Sequence, residues 1–291
     1  MFEIDPKTIS TKDLHQYLLA SVAPRPIAFV STVDKDGNKN LAPFSFFNAF
    51  SSNPPILVFS SNRRVENNTT KDTLRNVIDT KECVINVVSH RIVRQMTLAS
   101  IEYDSSISEF EKAGLTPIPS KLVKPFRVAE SPVQMECKVE DIIALGKEGG
   151  AGHLIICNVV WMHIDPFVLD DENRIDVHKI DLMGRMGRAF YTRASGSSIS
   201  KINQPFKQMG VGFDTLPLSI KANPYLRGNQ IAEIAALEEV PGEEFVNNYL
   251  VKDEQYMRIK GDGNFETLSA YAGLLIGEGK IREAYAILKD I

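Results

Sequence analysis

Ala23-Pro-Arg-Pro-Ile-Ala-Phe-Val-Ser-Thr-Val-Asp-Lys-Asp-Gly-Asn-Lys-Asn-Leu-Ala-Pro-Phe-Ser-Phe-Phe-Asn48 is the stretch whose reading decides the fold. Pro24 and Pro26 stiffen the backbone on either side of Arg25. Ile27 to Val33 is then a β-rich run with too little polarity for a half-exposed strand. Asp36-Gly37 supplies a hairpin turn, and beyond it Ser45 and Asn48 bracket Phe46 and Phe47. A stiff entry, a buried strand, a tight turn and a polar-aromatic segment predict part of a ligand-binding β-barrel. The ligand that suits such a segment has an aromatic part and a polar part.

Working outward, residues 12–20 form a short helix candidate leading into the Pro24-Arg25-Pro26 entry. Ser52-Asn53-Pro54-Pro55 is a turn ahead of the apolar strand Ile56 to Phe59. A polar connector, Ser60 to Thr70, precedes a helix from Lys71 or Asp72 to about Asp79, where Leu74, Val77 and Ile78 keep the spacing that buries one face. Cys83 to Val88 reads as a strand and His90 to Ala99 as a second helix. Ile101 to Pro132 carries acidic residues, Gly114 and four prolines, and reads as a long surface excursion. Met135 to Ala144 and His153 to Ile164 resume β character around the glycine-rich turn Gly146 to Gly152, which predicts a long hairpin. Asp181 to Tyr191 is a second glycine-punctuated stretch. After the linker Ser195 to Ser200 the pattern is helical, notably at Gly228 to Glu239 and Phe265 to Asp290. The division expected is 1–194 for the barrel and 195–291 for a helical C-terminal extension. Ile231, Ile234, Ala235 and Leu237, and later Ile281, Ala284, Tyr285 and Leu288, give the extension an apolar stripe that needs a covering surface. The barrel and a partner subunit are the surfaces expected to cover it.

Two constellations bear on chemistry. Ser60, Ser61, Arg63 and Arg64 follow a strand, and Lys71 and Thr73 sit in the first turn of the next helix. Unpaired N–H groups and the positive end of the helix dipole favour an anion there, and the cations add charge-assisted hydrogen bonds. The alternative is a solvated charged face, although basic residues at a helix start work against the dipole unless an anion is present. The glycine-rich stretches are weaker signals. Gly146 to Gly152 lacks the order of a phosphate-binding P-loop, and Gly184 with Gly187 does not complete a dinucleotide fingerprint. The five histidines show no short metal-ligand spacing, so no metal is expected. His153 opens a strand and is placed to face either a pocket or a structural neighbour. No serine occupies a Gly-x-Ser-x-Gly elbow.

Length, charge and cysteine usage set the outer limits. A chain of 291 residues buries a large core and accommodates one or two domains. The net charge of −4 and the missing basic patch argue against a nucleic-acid partner. Cys83, Cys137 and Cys157 are scattered, as in reduced structural thiols of a cytoplasmic protein rather than a disulfide framework. No apolar run reaches the roughly 20 residues that span a bilayer, so no membrane partner is expected.

With those residues in view, the chain resembles the flavin reductase-like (flavoredoxin-type) family. The segments that carry the resemblance are Ala23 to Asp34, Asn40-Leu-Ala-Pro-Phe-Ser-Phe-Phe-Asn48, Lys71-Asp-Thr-Leu-Arg-Asn76, Cys83-Val-Ile-Asn-Val-Val88, Ala129-Glu-Ser-Pro-Val133 and His153-Leu-Ile-Ile-Cys157. They recur in the family's order over about residues 15–191. The resemblance implies a mainly β fold with peripheral helices, an FMN-binding split β-barrel, followed here by the mostly helical extension. It implies that Arg25 and Pro26 lie near the isoalloxazine. Thr32, Ser45, Phe46, Phe47 and Asn48 would follow the flavin's polar edge and ribityl chain, while Ser60, Arg64, Lys71 and Thr73 hold the phosphate. Phe29, Cys157 and Arg188 depart from the family's frequent Trp, Gly and Gly.

The activity implied is an FMN-dependent oxidoreductase that takes electrons from NADH or NADPH and passes them to free flavin, oxygen or a redox acceptor protein. A homodimer with the flavin near the subunit interface is implied as well. The flavin carries the chemistry, so no obligatory catalytic residue is named. Asn48 or backbone N–H groups are candidates to stabilise the reduced flavin. Two other readings stay open: a non-catalytic FMN-binding storage or sensor module, and a flavin oxidase of a phosphorylated amine.

Overall fold

The computed structural model describes residues 1–202, 210–261 and 264–291. The parts of the expected C-terminal extension at 203–209 and 262–263 lie outside the described residues. The chain divides into two compact units, Met1–Ser200 and Lys201–Ile291, each with its own apolar core.

The first unit opens with helix α1 (Thr11–Ser21), capped by the Ser10 hydroxyl, which accepts from Asp13 N. The strands β1 (Ala28–Val33), β2 (Lys39–Phe44), β3 (Phe47–Ser52), β4 (Pro55–Ser60), β5 (Glu82–Val87), β8 (Val133–Ala144) and β9 (His153–Ile164) form one antiparallel sheet in the order β2-β1-β5-β8-β9-β4-β3. Helices α2 (Asp72–Thr80), α3 (Val93–Leu98) and α4 (Glu109–Ala113) and the short pair β6 (Pro117–Ile118) and β7 (Arg127–Val128) surround it. A small hairpin, β10 (Met183–Arg185) with β11 (Tyr191–Arg193), closes the unit.

The sheet curls around a core. Phe44 on β2 and Phe59 on β4 are separated by four strands in the sheet, yet their ring centroids lie 5.1 Å apart. Ala28, Val30, Phe44, Phe59, Ile85, Met135 and Ile155 all pack into the same cluster. β1 explains why its sequence lacks alternation: Ala28 and Val30 point into this core, while Phe29 joins a second one with Leu41, Ile92, Met96 and Phe110 on the opposite face. Each large side chain so buried contributes about 1.5–3 kcal/mol relative to exposure.

Three local readings are corrected by the structure. The segment from Ile101 to Pro132 is not a surface excursion, because Phe110, Leu115 and Val128 are buried and cover the outer face of β1. It is fastened by Glu109, whose Oε2 accepts Leu41 N at 2.9 Å, and by Asn86, whose Oδ1 accepts Val128 N at 2.9 Å. Its apolar residues are few and irregularly spaced, so no periodicity announced them. The polar-aromatic segment continues as the edge strand β3, paired with β4 from Phe47↔Phe59 onward. Finally, the second helix is shorter than His90 to Ala99, running only over Val93–Leu98. The predicted hairpin of β8 and β9 is the most extensive ladder of the sheet, with Val133↔Ile164 at one end and Ala144↔His153 at the other.

The second unit is helical: α5 (Leu218–Lys221), α6 (Gly228–Ala235), α7 (Glu243–Leu250), α8 (Glu254–Gly261), α9 (Phe265–Gly277) and α10 (Ile281–Asp290). Ile231 and Ile234 of α6 share a core with Ala284, Tyr285 and Leu288 of α10. The stripe anticipated from spacing is therefore covered within the unit itself. The long Phe265 to Asp290 pattern breaks at Gly279, which takes a φ of +77° that L side chains rarely adopt.

Candidate functional site

The start of α2 supplies the first part of the site. Lys71 occupies the N-cap with extended backbone and makes no capping hydrogen bond with its side chain. Its ammonium stands 5.2 Å from the centroid of the Phe44 ring. Burial pulls its pKa below the usual 10.5, the charge of Arg64 adds to that, and Glu102 opposes it. Arg64 reaches the same place from the connector after β4. Its Nη1 donates to Thr70 O at 2.8 Å and Thr69 Oγ1 at 3.0 Å, and its Nε donates to Glu102 Oε1 at 2.6 Å. Arg64, Lys71 and Thr73, with Ala42, Pro43 and the carboxylates of Asp72, Glu102 and Glu109, line one cavity of about 50 Å³.

Behind this cavity lies a buried polar network that connects two of the expected residues. Asn40 Nδ2 donates to Thr32 Oγ1 at 2.9 Å and to Thr73 Oγ1 at 3.0 Å, and Asn76 Nδ2 donates to Thr32 Oγ1 at 3.0 Å. Thr32 and Thr73 are themselves buried. Their hydroxyls serve β1, β2 and α2 as a joint, since buried hydroxyls need partners.

Ser60 is also buried, and its hydroxyl donates to Asn62 Oδ1 at 3.0 Å. The next residue differs. Ser61 Oγ is buried and, among the described residues, has no hydrogen-bond partner, while its backbone exchanges bonds of 3.1 Å with His153. His153 also points Nδ1 at Ser61 O, 3.2 Å away. The glycine turn presses against this segment. A Cβ on Gly152 would come within 2.6 Å of Ser60 Oγ, and one on Gly149 within 2.8 Å of Val65 O.

Arg25 forms a separate cluster. Its buried guanidinium donates from Nη1 to Leu19 O and, at 2.7 Å, to Val22 O; Nη2 reaches Met186 O at 3.0 Å and Nε reaches Ser45 Oγ at 3.3 Å. Burial, then the charge of Arg185, lowers its pKa below the ordinary arginine value. The side chain thus ties the end of α1 and the β10–β11 turn to the Ser45 segment. Phe46 and Phe47 are half-buried; Phe46 meets His15 edge-on at 6.1 Å, and its carbonyl accepts Ser60 N at 2.8 Å. Pro26 and Asn48 are exposed, and Asn48 Oδ1 accepts Ala49 N at 2.8 Å.

The structure therefore unites Arg64, Lys71 and Thr73 in one cavity, Thr32 and Thr73 in one network, and Arg25 with Ser45 in another. Asn40, Asn76 and Glu102 were not singled out from the sequence. A single asparagine on a strand or a helix and an acid in a loop carry no spacing signal; both Asn40, on β2, and Asn76, on α2, do, however, stand inside the segments that carry the family resemblance.

The model of the family described as the flavin reductase like domain matches residues 20–174, just over half of the chain. The chain belongs to the flavin reductase-like family. Its domain is accordingly that of a flavin-related oxidoreductase. An uncharacterized protein from Aquifex aeolicus is 39% identical over 189 residues, covering 65% of this chain and 94% of that protein. Among solved structures, nitrilotriacetate monooxygenase component B from Bacillus cereus superimposes with a TM-score of 0.64 at 31% identity, over 70% of this chain and 98% of that one. The 2-nitrobenzoate 2-nitroreductase NbaA of Pseudomonas fluorescens gives 0.64 at 28% identity, over 72% and 100%. Among the described residues no helix is long and apolar enough to cross a membrane.

Proposed function

We propose that this chain binds FMN and works as an NAD(P)H-dependent oxidoreductase that passes electrons through the flavin to an acceptor. The observation that carries the reading is the cavity where Lys71 and Arg64 meet. Lys71 is a half-buried cation that, among the described residues, makes no ion pair. Partial desolvation of a cation that no carboxylate contacts directly is costly, and a phosphate monoester on the cavity offsets that cost by charge-assisted hydrogen bonds. The orphaned hydroxyl of Ser61 lies in the chain segment that leads to Arg64 and fits the same expectation of a missing acceptor.

The residues present fit a flavin mononucleotide. Lys71 and Arg64 would hold its phosphate, and Thr73, whose Oγ1 already accepts from Asn40, keeps its own O–H available as a donor. Ser45, oriented by Arg25 Nε, would meet the polar edge of the ring system, with Phe46 and Phe47 excluding water. When bound, FMN supplies the two-electron carrier, and the protein supplies orientation and electrostatics. Arg25 contributes by holding the Ser45 segment and the β10–β11 turn in one place. The reading also takes the working form to be a homodimer in the cytoplasm, as the family resemblance implied.

Anaerobic mixing of the FMN-loaded protein with NADH and with NADPH, followed at the flavin absorbance, tests it. Bleaching by either nucleotide supports the reductase. Loss of neither absorbance over minutes rejects it in favour of a storage or sensor module, and peroxide formed from pyridoxamine phosphate without nicotinamide rejects it in favour of an oxidase.

A further inference from the structure

A second cavity, of about 580 Å³, lies between the segment His90 to Thr97 and the β10–β11 hairpin. Its walls carry His90, Arg94, Met183, Arg185, Phe190 and Tyr191. Its Arg185 pairs directly with the Pro24–Arg25 entry, Arg25 N donating to Arg185 O at 2.9 Å and Arg185 N to Arg25 O at 2.8 Å. Side chains alternate along β10, so Met183 and Arg185 line the cavity while Gly184 faces the other way. A Cβ on Gly184 would meet Thr192 Cγ2 at 3.0 Å and Pro24 Cβ at 3.1 Å. The close approach of β10 to the entry strand thus fixes Arg185 on the cavity side.

The charge of this cavity is uncompensated. Among the described residues no carboxylate lines it. Asp181, nearby in the chain, is engaged by Arg193, with Nε and Nη2 donating at 2.7 and 2.9 Å. Arg185 instead lays its guanidinium 4.6 Å from the centroid of Tyr191. A guanidinium stacked on a ring keeps its edge N–H groups free for a planar anion. Arg94 adds a second guanidinium from α3, and Phe190, 69% exposed, offers a bare aromatic face beside them. Large exposed aromatics next to unpaired arginines are the composition of ligand sites rather than of solvated surface. The volume falls within the roughly 300–1,000 Å³ of small-molecule pockets.

We propose that this cavity is a second ligand site, taking a planar aromatic compound that carries a carboxylate or phosphate. The aromatic part stacks on Phe190 and the anion bridges Arg94 and Arg185. Such chemistry comes either from an aromatic acid or from an adenine nucleotide. Calorimetric titration of the full-length protein with benzoate, 2-nitrobenzoate and 5′-AMP separates the two. Binding by the acids alone identifies an aromatic acid site, and binding by 5′-AMP alone identifies a nucleotide site. Arg94→Gln and Arg185→Gln are each expected to weaken the bound probe at least tenfold, and Phe190→Ala to weaken it severalfold, with FMN affinity and thermal midpoint unchanged. Arg94 lies on an exposed helix face, so its variant keeps the test decisive if Arg185→Gln disturbs the hairpin. No binding of any probe, or binding indifferent to all three substitutions, overturns the site. An equal loss of FMN affinity in the same variants also overturns it, because the cavity then belongs to the flavin.

Discussion

Lys71 holds its ammonium 5.2 Å from the centre of the Phe44 ring, at the point where the first turn of α2 meets the end of β2. The ring is packed in turn against Phe59 in the core that the curled sheet encloses. The charge that reads as a phosphate ligand is thereby mounted on the hydrophobic core. Cation–π attraction offsets part of the desolvation of the ammonium, and its remaining donors stay free for an anion.

Lys71→Ala and Arg64→Ala are each expected to weaken FMN binding by about 1.5–3 kcal/mol, the range for hydrogen bonds to charged groups. Riboflavin, which lacks the phosphate, should bind with unchanged affinity. Parallel fluorescence titrations with the two flavins check this, and an equal loss for both would assign the effect to folding.

The same lysine predicts a pH dependence. A phosphate favours the charged ammonium, and burial has lowered its pKa from 10.5. FMN affinity should therefore decline with rising pH while a solvent-exposed lysine is still fully protonated, and Lys71→Met should flatten that decline. For the free protein the sign is opposite. The folded chain binds fewer protons than the unfolded one between the lowered value and 10.5, so this residue makes stability rise with pH across that window.

Glu102 lends its carboxylate to Arg64 from an exposed loop, with 65% of its side chain accessible. A phosphate must share or displace it. Exposed ion pairs contribute about 0.2–1 kcal/mol, so Glu102→Gln should tighten FMN binding by up to about fivefold. Unchanged affinity in the titration would show that Glu102 stays clear of the ligand.

Glu136 is the strongest polar anchor of the segment that covers β1. Its carboxylate accepts Lys121 N at 2.7 Å, Leu122 N at 2.6 Å and His163 Nε2 at 2.6 Å. Burial pushes its pKa up, but these hydrogen bonds prevail and hold it below 4.5. Its stabilisation is present above the unfolded value and is lost as the pH falls through the folded one. Glu136→Gln should cost about 1.5–3 kcal/mol near neutrality, and the gap in urea midpoint between variant and parent should shrink below pH 4.5.

Two glycines give a contrast in unfolding experiments. Gly149→Ala drives a Cβ to 2.8 Å from the Val65 carbonyl, backbone that has nowhere to go, and should cost about 1–3 kcal/mol. Gly279→Ala meets no atom within 4 Å but must hold a φ of +77°, which costs about 1–2 kcal/mol. The first should also loosen FMN binding through the Arg63 to Val65 segment, whereas the second, in the helical unit, should leave it alone.

Much of the fold was legible in the sequence because local signals agreed. The Asp36-Gly37 turn, the apolar run of β1, the glycine turn between β8 and β9 and the apolar spacing of α2 each point to one structure without help from elsewhere. The resemblance carried by Lys71 to Asn76 and its companion segments led to the family by the same route. Tertiary structure alone decided the rest. Only the curl of the sheet brings Phe44 against Phe59, only the packing of α2 on β1 and β2 joins Thr32 to Thr73 through Asn40, and only the 101–132 segment delivers Glu102 to Arg64. These contacts link residues far apart in the chain, whose meeting depends on how whole elements pack. Spacing along the chain encodes which face of a strand or helix is apolar; it does not encode which distant polar atom waits on the other side.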